Sequence, residues 1–62
     1  MELSQDILEY RARHNMKQIQ FAKAIGMSPT TIRKIEAGGK VRPYTAAKIR
    51  VRMEEHDARA KD

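Results

Sequence analysis

The residues best suited to bind a ligand are basic, and they are concentrated in one part of the chain. Residues 33–52 contain one acidic residue, Glu36, and seven basic residues, so this stretch carries a net charge of +6: Arg33, Lys34, Lys40, Arg42, Lys48, Arg50 and Arg52. The whole chain of 62 residues carries +5. A clustered basic surface is typical of proteins that bind a polyanion, either nucleic acid or an anionic membrane surface. Charge alone also fits a surface that only keeps the protein soluble.

No pattern of catalytic or metal-ligating residues is found in the sequence. It has no cysteine and no glycine-rich phosphate loop, and neither His14 nor His56 stands beside a set of ligands or a nucleophile. We therefore predict that the protein is not an enzyme, that it holds no metal, cofactor or small-molecule ligand, and that both histidines lie on the surface. No apolar run approaches the ~20 residues that span a bilayer. The N-terminus is unlike a signal peptide, so we expect a cytoplasmic protein that does not bind membranes.

Helix start and stop signals divide the first part of the chain. Leu3 and Ser4 open a first helix, with Ser4 as the N-cap and with Leu3 and Leu8 placed for a hydrophobic staple. Asn15 is a suitable C-cap, because asparagine tolerates the left-handed conformation. A second helix is expected over residues 16–25, ending at Gly26, although Lys17 is a poor cap for it.

A third helix is signalled more strongly than the first two. Ser28 is a preferred N-cap, and Pro29 at the first helical position loses no hydrogen bond by lacking an N–H. Ile32 and Ile35 share its inward face, and residues 37–39 (Ala-Gly-Gly) end it.

Two charged residues occupy inward positions on these helices. Arg11 continues the apolar stripe of Leu3 and Ile7, and Glu36 lies one turn after Ile32. Charges placed so are costly unless they are paired. We predict that Arg11 and Glu36 form a structural ion pair.

The chain after the third helix is harder to interpret. Residues 40–43 form a basic connector, extended before the proline. Residues 44–53 fit either a strand or a helix, and we predict a helix from the propensities of the alanines and glutamates around them. That helix would have two apolar sides, one with Ala46, Ile49 and Met53, the other with Tyr44, Ala47 and Val51. Residues 57–62 are expected to fray.

Two short helices joined through a glycine, the second with an apolar inner face and a polar outer face, are typical of a helix-turn-helix. The sequence resembles the Cro/repressor family (XRE-like) of helix-turn-helix regulators over most of its length. The residues that carry this resemblance are Arg11, Gln18, Ala22, Gly26, Ser28, Ile32, Ile35, Glu36, Gly38, Arg42 and Pro43. It implies an all-α, lambda-repressor-like domain of four or five helices, with the helix-turn-helix over about residues 17–37 of a single domain covering residues 1–62.

The resemblance also assigns roles to individual positions. Gln18 matches a residue that holds a DNA phosphate, and Lys40 and Arg42 match a basic loop that follows the phosphates. Contacts to bases or the adjacent backbone are implied for the recognition helix and its start: Ser28, Pro29, Thr30, Thr31, Arg33 and Lys34. Arg11 and Glu36 match the buried ion pair of the phage repressors. Taken without the motif, Gln18, Thr30 and Lys34 would be ordinary exposed polar residues, and Arg50 and Arg52 a solvated face or nonspecific phosphate contacts.

We therefore expect a protein that binds duplex DNA sequence-specifically as a homodimer, on an operator that is palindromic. It would regulate transcription for a phage or mobile element by covering a promoter. The family's aromatic-containing fifth helix is not found after Ile49. Ile49, Val51 and Met53 are expected to form the dimer, because these apolar side chains exceed what a four-helix monomer of this length can bury on one side. Two other classes fit the same residues: a protein-binding antirepressor or antitoxin-like module, and a DNA-bending excision accessory factor.

Overall fold

The computed structural model describes residues 2–60, and within them it contains four α-helices and no strand. They are α1 (Leu3–His14), α2 (Gln18–Ile25), α3 (Pro29–Glu36) and α4 (Pro43–Ala60). The all-α fold predicted from the sequence is confirmed, and α4 decides the ambiguous stretch in favour of helix. A fifth helix is not present in residues 2–60.

One apolar core holds the four helices together. Its members include Ile7, Phe21, Ile32 and Ile49, one from each helix and each with none of its surface exposed. The other buried apolar residues are Leu3, Tyr10, Ala22, Ile25, Ile35 and Met53. Ile32 and Ile35, predicted as the inward residues of the third helix, are both in this core, because the 3.6-residue period of a helix places them on one face.

The start of α1 differs from the prediction. Glu2, in extended conformation, is the N-cap and makes no side-chain capping bond, so Ser4 lies inside the first turn and does not cap the helix. Leu3 is buried but Leu8 is 43% exposed. The two leucines therefore do not form a staple, since Leu3 turns inward with Ile7 on the core face. The end of α1 follows the prediction, with Asn15 in the left-handed region at φ 53°.

The second helix begins at Gln18, two residues later than predicted, because Lys17 is still extended. Lys17 has no acceptor in its side chain, but its backbone N–H donates to Gln20 Oε1 at 2.8 Å. That bond satisfies one free N–H at the start of the helix.

The third helix is capped as its sequence predicts. Ser28 Oγ accepts a hydrogen bond from the Thr30 backbone N–H at 3.2 Å, and Pro29 is the first helical residue. At the other end, the Gly39 N–H donates to the Lys34 carbonyl at 2.8 Å. A Cβ on Gly39 would lie 2.7 Å from that carbonyl oxygen, so glycine is required here by the close approach of two backbone segments.

The fourth helix continues further than expected. Residues 57–60, predicted to be frayed, belong to α4, while residues 61 and 62 lie outside the described part of the chain. Ile49 and Met53 face the core, and Val51 is 53% exposed. The predicted dimer surface of all three residues is therefore wrong, because a helix turns Val51 away from the other two.

Candidate nucleic-acid interface

The candidate interface is built on the short connection between α2 and α3. Gly26 ends α2 with φ +71°, a conformation that strongly favours glycine. Arg52, from α4, donates from Nη1 to the Ile25 carbonyl at 2.8 Å. A cation at the carboxyl end of α2 satisfies a free carbonyl and is favoured by the helix dipole. The end of α2 is thus fixed both by the turn and by α4.

The outward face of α3 is polar and accessible. Thr30, Arg33 and Lys34 are exposed, whereas Ile32 and Ile35 on the other face are buried. Thr30 and Lys34 are one turn apart and lie on the same side of the helix. Within residues 2–60, neither Arg33 nor Lys34 has an ion-pair partner, so both can meet a polyanion without first losing a contact in the protein.

The remaining predicted residues of α3 lie at its start. Ser28 is exposed, but its oxygen is engaged by the Thr30 N–H. Pro29 and Thr31 are half-buried. Pro29 has neither a backbone N–H nor a polar side chain, so its role in this structure is to begin the helix.

Arg11 and Glu36 are in contact, and they form part of a larger network. Arg11 Nη1 lies 2.7 Å from Glu36 Oε1, and the Glu36 side chain is 7% exposed. Arg11 Nε also donates to the Met16 carbonyl at 3.1 Å. The same Glu36 oxygen accepts from Gln18 Nε2 at 2.9 Å. One carboxylate therefore links the end of α3 to the first residue of α2 and to α1.

This network determines what Gln18 can offer a phosphate. Its side chain is half-buried, and one N–H of its amide group is directed to Glu36. An amide NH₂ group has two donors, so the second N–H remains for an external acceptor. The sequence did not predict the bond between Gln18 and Glu36, because it joins residues that are 18 positions apart.

The basic surface is smaller than the sequence indicates. Arg50 pairs with Asp6 of α1, and Arg52 is engaged at the end of α2. Arg52 is half-buried and bonded to a carbonyl, so the prediction of a solvated side chain is wrong for it, whereas the Arg50 side chain is 44% exposed. Five basic residues of the 33–52 stretch have no ion-pair partner within residues 2–60: Arg33, Lys34, Lys40, Arg42 and Lys48. Lys40 and Arg42 are exposed in the connector between α3 and α4.

A cluster that the sequence did not reveal joins α1 to the second half of α4. Tyr10 Oη lies 2.6 Å from His56 Nδ1, and His14 Nε2 lies 3.1 Å from Asp57 Oδ1. The rings of Tyr10 and His14 are in contact, with centroids 4.3 Å apart and planes tilted by 31°. Burial raises the pKa of Tyr10, and Asp57 adds to this effect while Arg13 opposes it. The two histidines are thus half-buried structural contacts, and their prediction as surface residues is wrong.

Two other features bear on the kind of site. Within residues 2–60, His, Asp and Glu side chains are nowhere gathered in a group of three or more that could hold a metal ion. No helix in this part of the chain is long and apolar enough to cross a membrane.

Comparison with known proteins agrees with this geometry. The family model described as helix-turn-helix matches residues 7–50, which is most of the chain. The protein belongs to the Cro/XRE-like helix-turn-helix family of DNA-binding proteins, whose members are transcription regulators. No curated protein and no solved structure shows significant similarity to the chain. The match includes α2, α3 and the basic connector, and it ends before the cluster of Tyr10, His14, His56 and Asp57 is complete.

Proposed function

We propose that this protein binds duplex DNA sequence-specifically, with α3 as the recognition helix in the major groove, and represses transcription. The two-sided character of α3 is the observation that carries the proposal: Ile32 and Ile35 anchor it to the core while Thr30 and Lys34 are exposed. Its eight residues make a rod about 12 Å long, and an α-helix with its side chains is about 10–12 Å in diameter. The major groove is about 12 Å wide and admits one α-helix.

Contacts to phosphates would come from residues on both sides of α3. The free N–H of Gln18 lies at the start of α2, where the helix dipole favours an anion. Lys40 and Arg42 are exposed on the connector that follows α3. Such contacts position the protein on the duplex and carry no sequence information by themselves.

Contacts to bases would come from the exposed centre of α3. Lys34 can donate to the O6 and N7 acceptors of guanine, and the Thr30 methyl and hydroxyl groups can meet thymine or adenine edges. Arg33 lies at the side of this face. Its guanidinium could bind either a base edge or a backbone phosphate. Ser28, Pro29 and Thr31 would define the end of the helix that enters the groove.

As a regulator, the protein would repress transcription by covering a promoter. It would be encoded by a phage or mobile element and would act in the cytoplasm, where the DNA lies. Occlusion requires only a surface that holds DNA over a promoter, and the exposed face of α3 with the basic connector supports this part of the proposal. A homodimer on a palindromic operator would double the contacts, because two-fold protein symmetry matches two-fold operator symmetry. The resemblance to the phage repressors supports this part of the proposal.

Selection of bound duplexes from a random pool tests sequence-specific binding. The expected result is enrichment of one motif, arranged as an inverted repeat. A pool that stays random would overturn the proposal and favour the protein-binding antirepressor or antitoxin-like alternative. Bending measured by circular permutation of the selected site would separate repression from a DNA-bending accessory role, since a repressor that occludes needs no large bend.

Variants of basic residues test the placement of α3. Lys34→Ala should relax preference at one or two base pairs, because a good base contact discriminates by ~1–3 kcal/mol. Arg42→Ala should weaken all duplexes alike and lower the salt slope by roughly 0.9, as expected for one lost phosphate contact. Lys23→Ala is a control that removes the same charge from α2 beside Glu55 and Arg59. If Lys34→Ala behaves as Arg42→Ala does, α3 is rotated in the groove relative to our proposal.

A further inference from the structure

One face of α4 is apolar although it points away from the core. Tyr44 is 77% exposed and Val51 is 53% exposed, and Ala47 and Ala58 are exposed as well. The spacings of three, four and seven residues place these four side chains in one stripe along the helix. Ile49, on the opposite side of α4, is fully buried.

This stripe is not covered by any of the other three helices. Tyr44 and Val51 are two of the four large apolar side chains that residues 3–59 leave exposed, and both are on α4. A single exposed apolar residue needs no explanation, but an aligned set on one helix is typical of a contact surface.

The charged residues beside the stripe could pair with the same residues of a second copy of the helix. Lys48 and Glu55 are seven residues, or about two turns, apart on the same flank of α4. Neither has an ion-pair partner within residues 2–60. If two α4 helices lie antiparallel and cross at Val51, Lys48 of one faces Glu55 of the other, and the two-fold axis repeats the pair. Tyr44 then meets Ala58 of the second helix.

We propose that a second copy of this chain docks on this face, α4 against α4 in antiparallel orientation, through Tyr44, Ala47, Val51 and Ala58 with paired contacts between Lys48 and Glu55. The inference deepens the proposed function, since it rests on a two-fold dimer that fits a palindromic operator. Such an interface is isologous, with the same patch used by both copies.

The position and size of the stripe suit a dimer that forms on DNA. Tyr44 follows the basic connector directly, so the pairing face begins where the proposed phosphate contacts end. A stable interface buries about 800 Å² on each partner, and one face of a single helix supplies less than that. Pairing in free solution should therefore be weak, and binding to adjacent half-sites would raise the effective concentration of the second copy.

Cysteine trapping tests the crossing point without DNA. The chain has no cysteine, and Val51 lies on the proposed two-fold axis, so Val51→Cys should form a symmetric disulfide under mild oxidation. Leu8→Cys is the matched control, because Leu8 is similarly exposed on α1. We expect the dimer of Val51→Cys to form at least tenfold faster than that of Leu8→Cys. Equal rates would overturn the proposal.

Charge exchange tests the antiparallel orientation. The parent protein should show dimer in sedimentation velocity at a protein concentration of about 1 mM, which is suited to detecting a weak dimer. Lys48→Glu and Glu55→Lys should each weaken dimerisation about tenfold, as two attractive pairs become repulsive. The double variant should recover the parent affinity. A parent that sediments only as monomer, or a double variant as weak as the single ones, refutes the interface. Because no DNA is present, either result is independent of whether the selection experiment succeeds.

Discussion

The carboxylate of Glu36 is the point where the largest effect on stability is expected. Its Oε1 accepts from Arg11 Nη1 at 2.7 Å and from Gln18 Nε2 at 2.9 Å. Glu36→Ala removes both bonds and leaves the Arg11 guanidinium, whose side chain is 22% exposed, without an anion. Breaking a buried pair from one side costs ~3–5 kcal/mol.

The structure places Glu36→Ala at the lower end of that range. Arg11 keeps its bond to the Met16 carbonyl and some contact with water. In the parent, Glu36 Oε2 is buried without a hydrogen-bond partner, so the carboxylate is incompletely compensated from the start. About 3 kcal/mol is then the expected loss. For a domain of this size the total free energy of unfolding is roughly 3–9 kcal/mol, and the melting temperature should fall by about 12–24 °C.

Thermal and urea unfolding followed by circular dichroism would measure this change. Glu9→Ala is the control, since Glu9 is an exposed glutamate on α1 and should change the melting temperature by little. In an Arg11→Met background, Glu36→Ala should cost much less, because the pair is already broken. If Glu36→Ala melts within about 4 °C of the parent, or if its cost is the same with and without Arg11, the network does not stabilise the fold as argued.

Three further outcomes follow from the contacts described. Gly39→Ala should destabilise the protein by ~1–3 kcal/mol in urea unfolding, because its Cβ would lie 2.7 Å from the Lys34 carbonyl oxygen; an unchanged midpoint would contradict that contact. Burial raises the pKa of Tyr10 above its usual value near 10, so the unfolded chain loses this proton first and stability should fall as the pH rises above about 10. The stability difference between the parent and Tyr10→Phe should therefore shrink between pH 9 and 11, and a constant difference would refute the assignment. Gln18→Ala should weaken binding to all duplexes alike with almost no change in salt slope, since glutamine carries no charge; a changed sequence preference would place Gln18 at a base.

Local signals determined much of what could be predicted. Gly26, Ser28 and Pro29 specify their own backbone conformations, and the spacing of Ile32 and Ile35 specifies which side of α3 is buried. These effects act within one helical turn, so they can be recognised from the sequence without knowing what the helix packs against. The exposed Thr30 and Lys34 follow from the same period.

Only the tertiary structure decided which ion pairs, hydrogen bonds and ring contacts form between residues that are distant in the sequence. From the sequence, Arg50 and Arg52 would be a solvated face or nonspecific phosphate contacts, yet one pairs with Asp6 and the other donates to a carbonyl at the end of α2. His56 meets Tyr10 across 46 positions of sequence, for which no periodic pattern exists. A hydrogen bond between helices depends on the packing of their apolar faces, and that packing is a property of the whole core. The length of α4 is also a result of the tertiary structure. Contacts between its second half and α1 stabilise residues that would be expected to fray from their composition alone.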